Sequence, residues 1–483
     1  MRKKTGILLH ISSLPNQYGI GSFGKSAYDF IDFLKQAKQD FWQILPIHPT
    51  GFGDSPYQSL SVFALNPYFI DLTQLFDDGL ITEEELTDFE TDKIDYGALY
   101  YTRFKLLRSA FNRFDQSTED YLRFIKRTGE WLEDYALFMA LKGHFNQPWY
   151  LWQDDIKNRD QVSLEHYKQK LKKELEFHYF LQYSADFQYQ KLLKYAKRKR
   201  IKLFGDLPIF LAYDSADVWV NSDLFDLDDN KNLNRVAGVP PDYFTSQGQL
   251  WGNPLYLWKD QKEAVFSFWH KRLKNAFYLY DYVRLDHFIG FYHYYAVSAT
   301  ATDAKVGTFY PGPRMEFVKF IKKHFKKNRI IVEDLGALNK AIETFIAQTK
   351  LMRMHVLQFA FTDELTNRYL PENQARHGVC YTGTHDNETT KAWLEKQDER
   401  TRAQIMTYTK DQPTTWDMIK LAYQSRSKIT IIPWQDLLEL GNEARMNEPG
   451  KENKQWTYKA KRSNFSSDLA LRIKEAMKQS KKL

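Results

Sequence analysis

The chain has 483 residues, of which 68 are Lys or Arg and 61 are Asp or Glu, so its formal net charge at pH 7 is +7. This surplus is small against so many charged groups, and it indicates no particular class of partner. With 43% hydrophobic residues and no apolar run near the roughly 18–20 residues that cross a bilayer, the composition excludes a mainly disordered chain and predicts no membrane span.

The single cysteine, Cys380, excludes an internal disulfide and a zinc cluster built on cysteines. The basic start of the chain resembles the first part of a signal peptide, but the apolar run that follows stops at His10 and is too short for one. A reducing compartment is the simplest interpretation, and we expect a cytoplasmic location.

Eight short, largely apolar runs with polar ends predict β-strands, and amphipathic helical patterns lie between most of them. The predicted strands are 6–10, 41–47, 201–207, 282–286, 330–333, 354–359, 379–382 and 428–432. Strands that alternate with helices favour parallel pairing, and eight of them favour a closed barrel over an open sheet. We therefore predict an α/β fold, a (β/α)8 TIM barrel.

The stretch 75–195 interrupts this alternation, because it has little strand signal and long helical patterns such as 100–114 and 164–193. Since the alternation resumes afterwards, we predict a mainly helical insertion within a single catalytic barrel domain, 1–483.

Carboxylates lie at the ends of four predicted strands, where the reactive groups of a parallel barrel are found. They are Asp206, Asp286, Glu333 and Asp386. Paired carboxylates without a Gly-rich phosphate loop or a metal-ligand spacing favour glycosyl chemistry, in which one attacks the anomeric carbon and another protonates the departing oxygen. The GxGxxG match at 19–24 is weak, because no clean strand precedes it.

Arg284 and Asp286 are two residues apart on one predicted strand, so their side chains leave the same face. A guanidinium beside a carboxylate favours the ionised form that a nucleophile needs. The alternative is a structural ion pair at the barrel rim.

Glu333 follows an apolar strand, and a carboxyl that is partly dehydrated and near other carboxylates has the raised pKa of an acid catalyst. The alternative is a strand-end Glu that caps the next helix. Asp334 has the opposite orientation if the strand continues, which predicts a structural role.

His385, Asp386 and Asn387 lie in a Gly/Thr-rich turn after a predicted strand. A helix N-cap is the alternative here, since a helical pattern follows from Thr389. His385 could also bind a metal, but no nearby spacing completes a zinc site.

The segment 240–258 has two Trp, two Tyr and one Phe among three Pro and two Gly, and neither a helical nor a strand period fits it. Aromatic rings in a Pro-stiffened loop can contact the faces of pyranose rings, while Asp242 and Asn253 bond hydroxyl groups. We predict that 236–258 is an aromatic loop over the cleft; a self-packed loop is the alternative.

The basic run 197–202 could form a nucleic-acid patch, but it ends a predicted helix, where cations complement the helix dipole. We therefore expect no nucleic-acid partner and no membrane partner.

The motifs, taken in order along almost the whole chain, resemble the amylomaltases, the 4-α-glucanotransferases of glycoside hydrolase family seventy-seven. The segments that carry this resemblance are 6–15, 53–58 (Gly-Asp-Ser-Pro-Tyr-Gln), 205–210, 239–258, 284–288 (Arg-Leu-Asp-His-Phe), 333–336 (Glu-Asp-Leu-Gly), 383–387 (Gly-Thr-His-Asp-Asn) and 441–447.

The resemblance implies a (β/α)8 barrel with helical insertions, retaining chemistry and α-1,4-glucan substrates, with no organic cofactor and no essential metal. It places the nucleophile at Asp286, the acid/base at Glu333 and a transition-state-stabilising carboxylate at Asp386.

The resemblance also implies the residues that contact substrate. Arg284 and His385 would flank the reacting ring, and Asp206 and Tyr57 would line the same pocket. A second group would cover the glucan as it crosses the cleft: Asp242 and the loop that contains Trp251, Asn253 and Trp258.

Some positions depart from the usual family pattern. Phe52 stands where several relatives carry Tyr, Glu388 replaces the more usual Asp, and the stretch after Gly450 lacks the usual Thr. These departures affect the expectations for outer glucan binding and chain-length preference, not those for the three carboxylates.

We therefore predict transfer of an α-1,4-glucan segment to the 4-hydroxyl of an acceptor glucan or glucose through a covalent glycosyl-enzyme. Retention requires the carboxyl groups of Asp286 and Glu333 to lie about 5–5.5 Å apart, since an inverting pair needs roughly 6.5–9.5 Å. The alternatives are an amylase-type α-1,4-glucan hydrolase and a non-catalytic glucan-binding protein.

Overall fold

A computed structural model describes residues 3–241, 246–325, 329–336, 338–362, 364–409, 411–451 and 455–480. The strands are β1 (Lys4–Leu8), β2 (Phe41–Gln43), β3 (Lys202–Leu207), β4 (Arg235–Val239), β5 (Gln249–Pro254), β6 (Tyr282–Leu285), β7 (His293–Ser298), β8 (Gly307–Pro311), β9 (Ile330–Val332), β10 (Met352–Val356), β11 (Gly378–Tyr381) and β12 (Ile429–Pro433).

The helices between these strands vary from one turn to eight. They are α1 (Lys25–Gln36), α2 (Leu72–Asp77), α3 (Tyr96–Arg113), α4 (Glu119–Phe145), α5 (Asp154–Lys157), α6 (Gln161–Lys170), α7 (Lys172–Lys199), α8 (Ala216–Val220), α9 (Lys262–Leu279), α10 (Arg314–His324), α11 (Lys340–Thr349), α12 (Thr390–Glu395), α13 (Glu399–Thr409), α14 (Thr415–Gln424), α15 (Trp434–Leu437) and α16 (Ser467–Gln479).

Eight strands close into a parallel barrel in the order β1-β12-β11-β10-β9-β6-β3-β2, which confirms the predicted (β/α)8 fold. Each of the eight predicted runs overlaps one barrel strand. Strands such as β12 are buried along their whole length, because side chains fill the barrel on one face and helices cover the other. The helix α1, for example, packs Phe30 and Phe33 against the ring of Trp434, with centroids 5.5 and 5.4 Å apart.

The chain between β2 and β3 is helical from α2 to α7, over the range for which an insertion is predicted. The predicted helical pattern 164–193 falls in two helices, because Leu171 separates the end of α6 from the start of α7. Gln182 of α7 bonds both the N–H and the carbonyl of Leu65, at 2.7 and 2.8 Å. The amide thereby fixes the long helix to the loop that follows β2.

A second sheet with the order β5-β4-β7-β8 lies outside the barrel, and the sequence analysis does not predict it. Part of the expected aromatic loop 236–258 is instead the antiparallel hairpin β4–β5. The sequence of β5 does not read as a strand, because it contains Gly252, at a φ of 73°, and ends on Pro254. Both residue types are unusual inside strands. Within the described parts of the chain, no helix is long and apolar enough to span a bilayer.

The core between α9 and α10 contains Trp269, whose side chain is fully buried. Its ring packs against Phe291 and Phe317, each with centroids 5.1 Å away. We expect Trp269→Ala to lower the free energy of unfolding by about 3–5 kcal/mol, which is measured as a lower urea midpoint. The matched control is Tyr101→Ala, because that ring is 78% exposed and its loss should change stability by less than about 0.5 kcal/mol. Equal midpoints for the two variants would contradict this packing.

Candidate active site

The register of three neighbouring strands brings the predicted carboxylates together. Asp206 of β3 pairs with Arg284 of β6, and the next β6 residue, Leu285, pairs with Val332 of β9. The ladder continues by one step, because the N–H of Glu333 donates to the carbonyl of Leu285 at 2.9 Å. Neighbouring strands lie about 4.8 Å apart, so the residues that follow β6 and β9, Asp286 and Glu333, leave adjacent strand ends.

Arg284 forms two ion pairs, with its guanidinium 2.7 Å from Asp206 Oδ2 and 2.6 Å from Asp286 Oδ1. The Arg284 and Asp206 side chains are almost fully buried, whereas that of Asp286 is 26% exposed. Burial opposes the positive charge, but the two carboxylates outweigh it and raise the pKa of Arg284 well above its usual value. The ion pairs therefore leave Asp286 as the carboxylate of this group that is open to the cleft.

Glu333 has a different environment. Its two carboxyl oxygens accept the backbone N–H groups of His287 at 2.9 Å and Leu335 at 2.6 Å. Burial raises the pKa of Glu333 to about 8; the charge of Arg284 opposes this increase, and the charge of Asp286 adds to it. Glu333 is thus protonated at neutral pH, as a proton donor must be.

Asp386 lies in the turn after β11 and does not cap a helix, because the N-cap of α12 is Thr389. One carboxylate oxygen of Asp386 lies 3.2 Å from His385 Nε2, and the other accepts the side-chain N–H of Asn447 at 2.6 Å. Burial lowers the pKa of His385, so this imidazole is neutral.

Tyr57 contacts both Asp206 and His385. Its hydroxyl donates to Asp206 Oδ2 at 2.9 Å, and its ring stacks on that of His385, with centroids 5.2 Å apart and an interplanar angle of 10°. Burial and the negative charges of Asp206, Asp286 and Asp386 raise the pKa of Tyr57 well above its usual value. Asp206, Asp286 and Asp386 therefore lie close enough to this phenol group for their charges to act on it.

Two predicted glucan contacts on β5, Trp251 and Asn253, differ in exposure. Trp251 is partly exposed and lies edge-on to His287, with ring centroids 4.8 Å apart, beside the backbone that supports Glu333. Asn253 is buried and donates to the carbonyl of Leu211 at 2.6 Å. These positions favour a substrate contact for Trp251 and a structural role for Asn253.

The packing of Trp258 does not support the predicted glucan contact. Its ring is 5% exposed and packs against Phe291 and Phe317, because the strand turns into the core after β5. The predictions for Asp242 and for the Phe52 side chain fall outside the described residues.

Asp334, expected to be a structural partner, is fully buried and pairs with Arg353 at 2.6 Å and Arg368 at 2.7 Å. Glu388 accepts the side-chain N–H of Asn442 at 2.6 Å and also pairs with Lys396. In the ranges that the structure describes, no three His, Cys, Asp or Glu side chains form a group that could hold a metal ion.

Sequence reasoning assigns no role to Arg445 and Asn447, both of which contact Asp386. They lie 59 and 61 residues from it in the sequence, and no periodicity links them to it. The one available signal is that both belong to segment 441–447, which contributes to the resemblance.

Comparison with known proteins identifies relatives over nearly the whole chain. The sequence model of a family described as 4-alpha-glucanotransferase matches residues 9–464. The chain is 42% identical over 476 residues to the 4-alpha-glucanotransferase of Clostridium butyricum, covering 96% of this chain and 98% of that protein. It is 40% identical over 485 residues to the 4-alpha-glucanotransferase of Thermus thermophilus, covering 97% of each.

A solved structure agrees with these sequence relatives. The amylomaltase from Streptococcus agalactiae, determined in complex with acarbose, superposes with a TM-score of 0.95 at 35% identity. The match covers 99% of each chain.

The protonation of Glu333 can be measured without an activity assay. In the infrared difference between wild type and Glu333→Gln, we expect the C=O band of a protonated carboxyl at pH 7. Because the pKa of Glu333 is raised to about 8, this band should disappear only as the pH rises through about 8. Burial also raises the pKa of Asp206, to about 7, so persistence of the band in an Asp206→Asn background would assign it to Glu333. A midpoint near about 4.3, the ordinary value for Glu, would contradict the burial argument.

Proposed function

Because this chain belongs to the 4-alpha-glucanotransferase family, we propose that Asp286 is its nucleophile, Glu333 its acid/base and Asp386 its transition-state-stabilising carboxylate. The enzyme is a 4-α-glucanotransferase that acts on α-1,4-glucans. The observation that carries the assignment of roles is the contrast between Asp286, which is paired with Arg284, and the buried, protonated Glu333 on the next strand.

In the first step, an oxygen of Asp286 attacks the anomeric carbon of the donor and the glycosidic C–O bond breaks. The proton of Glu333 moves to the departing 4-oxygen, which leaves as the 4-hydroxyl of the released glucan. Arg284 holds the attacking carboxylate at 2.6 Å, so the geometry of attack exists before the donor binds.

In the second step, Glu333 removes the proton of an acceptor 4-hydroxyl, whose oxygen attacks the same carbon and releases the Asp286 carboxylate. The charge of Asp286, which contributes to the raised pKa of Glu333, is absent from the covalent ester. Loss of that charge lowers the pKa of Glu333 between the two steps, so one residue serves first as an acid and then as a base.

Transfer prevails over hydrolysis when an acceptor sugar occupies the site better than water does. Trp251 supports this function, because its exposed ring lies beside His287, whose N–H holds Glu333. A sugar stacked on this ring would place its hydroxyl near Glu333 and exclude solvent. Asp242 remains a proposed outer contact, whereas the packing of Asn253 and Trp258 favours structural roles for both.

The remaining proposals concern the ring that reacts and the chain as a whole. Arg284, His385, Asp206 and Tyr57 line the pocket for this ring, with Tyr57 stacked on the His385 imidazole.

We also propose that the chain is one catalytic unit, because the helices of the 75–195 insertion share a continuous hydrophobic core with the barrel. A cytoplasmic location fits the lone, buried Cys380.

The products formed from maltotriose test transfer directly. Transfer should give glucose and a ladder of chains longer than maltotriose, visible by mass spectrometry. Hydrolysis would give only chains shorter than the substrate. Asp286→Asn is the matched control, because any ladder that persists in this variant comes from a contaminating enzyme.

The effect of removing the Glu333 carboxyl group should depend on the leaving group of the donor. We expect Glu333→Ala to lower kcat/KM for maltotriose by about 10²–10⁴-fold, since the departing sugar oxygen needs a proton. An α-maltosyl fluoride donor needs no such proton and should still release about one equivalent of fluoride in a burst, because only the second step is blocked. A burst from Asp286→Asn, or none from Glu333→Ala, would contradict the assigned roles.

A further inference from the structure

The three proposed catalytic carboxylates are held in different ways. The N–H of Asp286 donates to the carbonyl of Leu207 at 3.0 Å, and that of Glu333 donates to the carbonyl of Leu285 at 2.9 Å, so both remain in the barrel ladder. Asp386 follows the last residue of β11, Tyr381, by five positions and lies in a turn. Its orientation must therefore come from contacts outside the barrel strands.

Those contacts come from segment 441–447, which follows α15. The N–H of Asn447 donates to the carbonyl of His385 at 3.2 Å. Arg445 uses one guanidinium nitrogen to bond the carbonyl of Asp386 at 2.6 Å and another to bond the carbonyl of Asn447 at 2.7 Å. The two residues thus fix the backbone of the turn on both sides of the Asp386 side chain.

The Asn447 side chain makes the one contact from this segment to the carboxylate itself, 2.6 Å from its Nδ2 to Asp386 Oδ1. A carboxylate only accepts hydrogen bonds, so the amide must present its NH₂ group here. With His385 Nε2 3.2 Å from the second oxygen, the rotation of the carboxylate is fixed at both ends.

We propose that Asn447 is a positioning residue for glucan transfer: its side-chain amide fixes the rotation of the Asp386 carboxylate toward the reacting sugar, while Arg445 fixes the backbone that carries it. The inference rests on the proposed role of Asp386. It assigns a function to a segment that lies outside the barrel strands and contains none of the three carboxylates.

Several titratable groups surround Asp386, among them Glu388, on which the charge of Arg445 acts, and His10, on which that of His385 acts. His385 is adjacent and neutral, Tyr57 stacks on His385, and Arg445 contacts the Asp386 carbonyl. From β6, the charges of Arg284 and Asp286 act on His385. Asn447→Ala adds no charge to this surrounding, whereas a carboxyl group at position 447 also raises the pKa of His385, so the pH profile of Asn447→Ala is the reference for that of Asn447→Asp.

Two substitutions at position 447 separate positioning from general stability. Asn447→Ala removes the amide, and we expect kcat/KM to fall by about 10- to 100-fold at every pH, because a hydrogen bond to a charged group is lost. Asn447→Asp puts two carboxyl groups within hydrogen-bond distance, and such a pair holds one proton tightly. In the singly protonated pair, the new carboxyl donates to Asp386 as the amide does.

The ratio of kcat/KM for Asn447→Asp to that of wild type should therefore rise as the pH falls. At high pH both carboxyl groups are ionised and repel each other, and the ratio should approach that of Asn447→Ala or fall below it. A merely structural role would give a ratio that does not change with pH for the folded enzyme. A pH-independent ratio for Asn447→Asp, or wild-type activity of Asn447→Ala, would overturn the proposal.

Asn442→Ala is the matched control. Asn442 is an asparagine of the same segment that bonds Glu388 and accepts the N–H of Thr389 at 3.3 Å, without a contact to the Asp386 carboxylate. We expect Asn442→Ala to lower thermal stability and to change kcat/KM by less than about threefold. The ratio of its kcat/KM to that of wild type should not change with pH. A loss of activity equal to that of Asn447→Ala would show that the segment acts only by bracing the turn, and would overturn the specific role of Asn447.

Asp386→Asn separates failure of this inference from failure of the proposed function. If Asp386→Asn keeps wild-type kcat/KM, the role of Asp386 is wrong, and the positioning role falls with it. If Asp386→Asn is inactive while the Asn447 variants behave as wild type, the role of Asp386 stands and the inference about Asn447 alone is overturned. Urea midpoints of all variants, measured in parallel, establish that each is folded in the assays.

Discussion

One buried guanidinium group holds two carboxylates from neighbouring strand ends, and the rest of the site is arranged around it. Arg284 is 4% exposed and lies within 2.7 Å of both Asp206 and Asp286. A buried charge is tolerated only when it is paired, so the barrel must bring both carboxylates to the same guanidinium to remain stable. Because one partner is fully buried and the other is partly open, the same ion pairs that stabilise the barrel rim also leave one partly exposed carboxylate, that of Asp286.

The chemistry depends on an electrostatic difference between two adjacent carboxyl groups. Asp286 contacts a guanidinium directly, whereas Glu333 is bonded only by backbone N–H groups and is buried beside a negative charge. Two carboxyl groups on adjacent strand ends thus have different surroundings, and those of Glu333 raise its pKa. The N–H that reaches Glu333 comes from His287, whose φ of 48° is unusual for a residue other than glycine.

The sequence was sufficient to predict the barrel, because most of its strands are buried and largely apolar. The carboxylates could be found because strand ends such as those at Asp286 and Glu333 are where a parallel barrel places reactive groups. The second sheet escaped prediction because its strands are mixed in polarity and β8 is mostly exposed. Contacts between distant segments, such as that of Asn447 with Asp386, could not be predicted, since hydrogen-bond partners in loops follow from the folded path and not from a period. Trp258 shows the same limit, because composition alone does not distinguish a ring in the core from a ring in the cleft.

We propose that Asp286 becomes covalently bonded to the sugar while Glu333 supplies and removes the proton. The most direct test is peptide mapping by mass spectrometry of Glu333→Ala after incubation with α-maltosyl fluoride, when the second step is blocked. We predict one maltosyl unit per chain, on the peptide that contains Asp286, and none when Asp286→Asn is added. A modified peptide that contains Asp206 or Asp386 instead, or an unmodified enzyme that continues to release fluoride, would contradict the account.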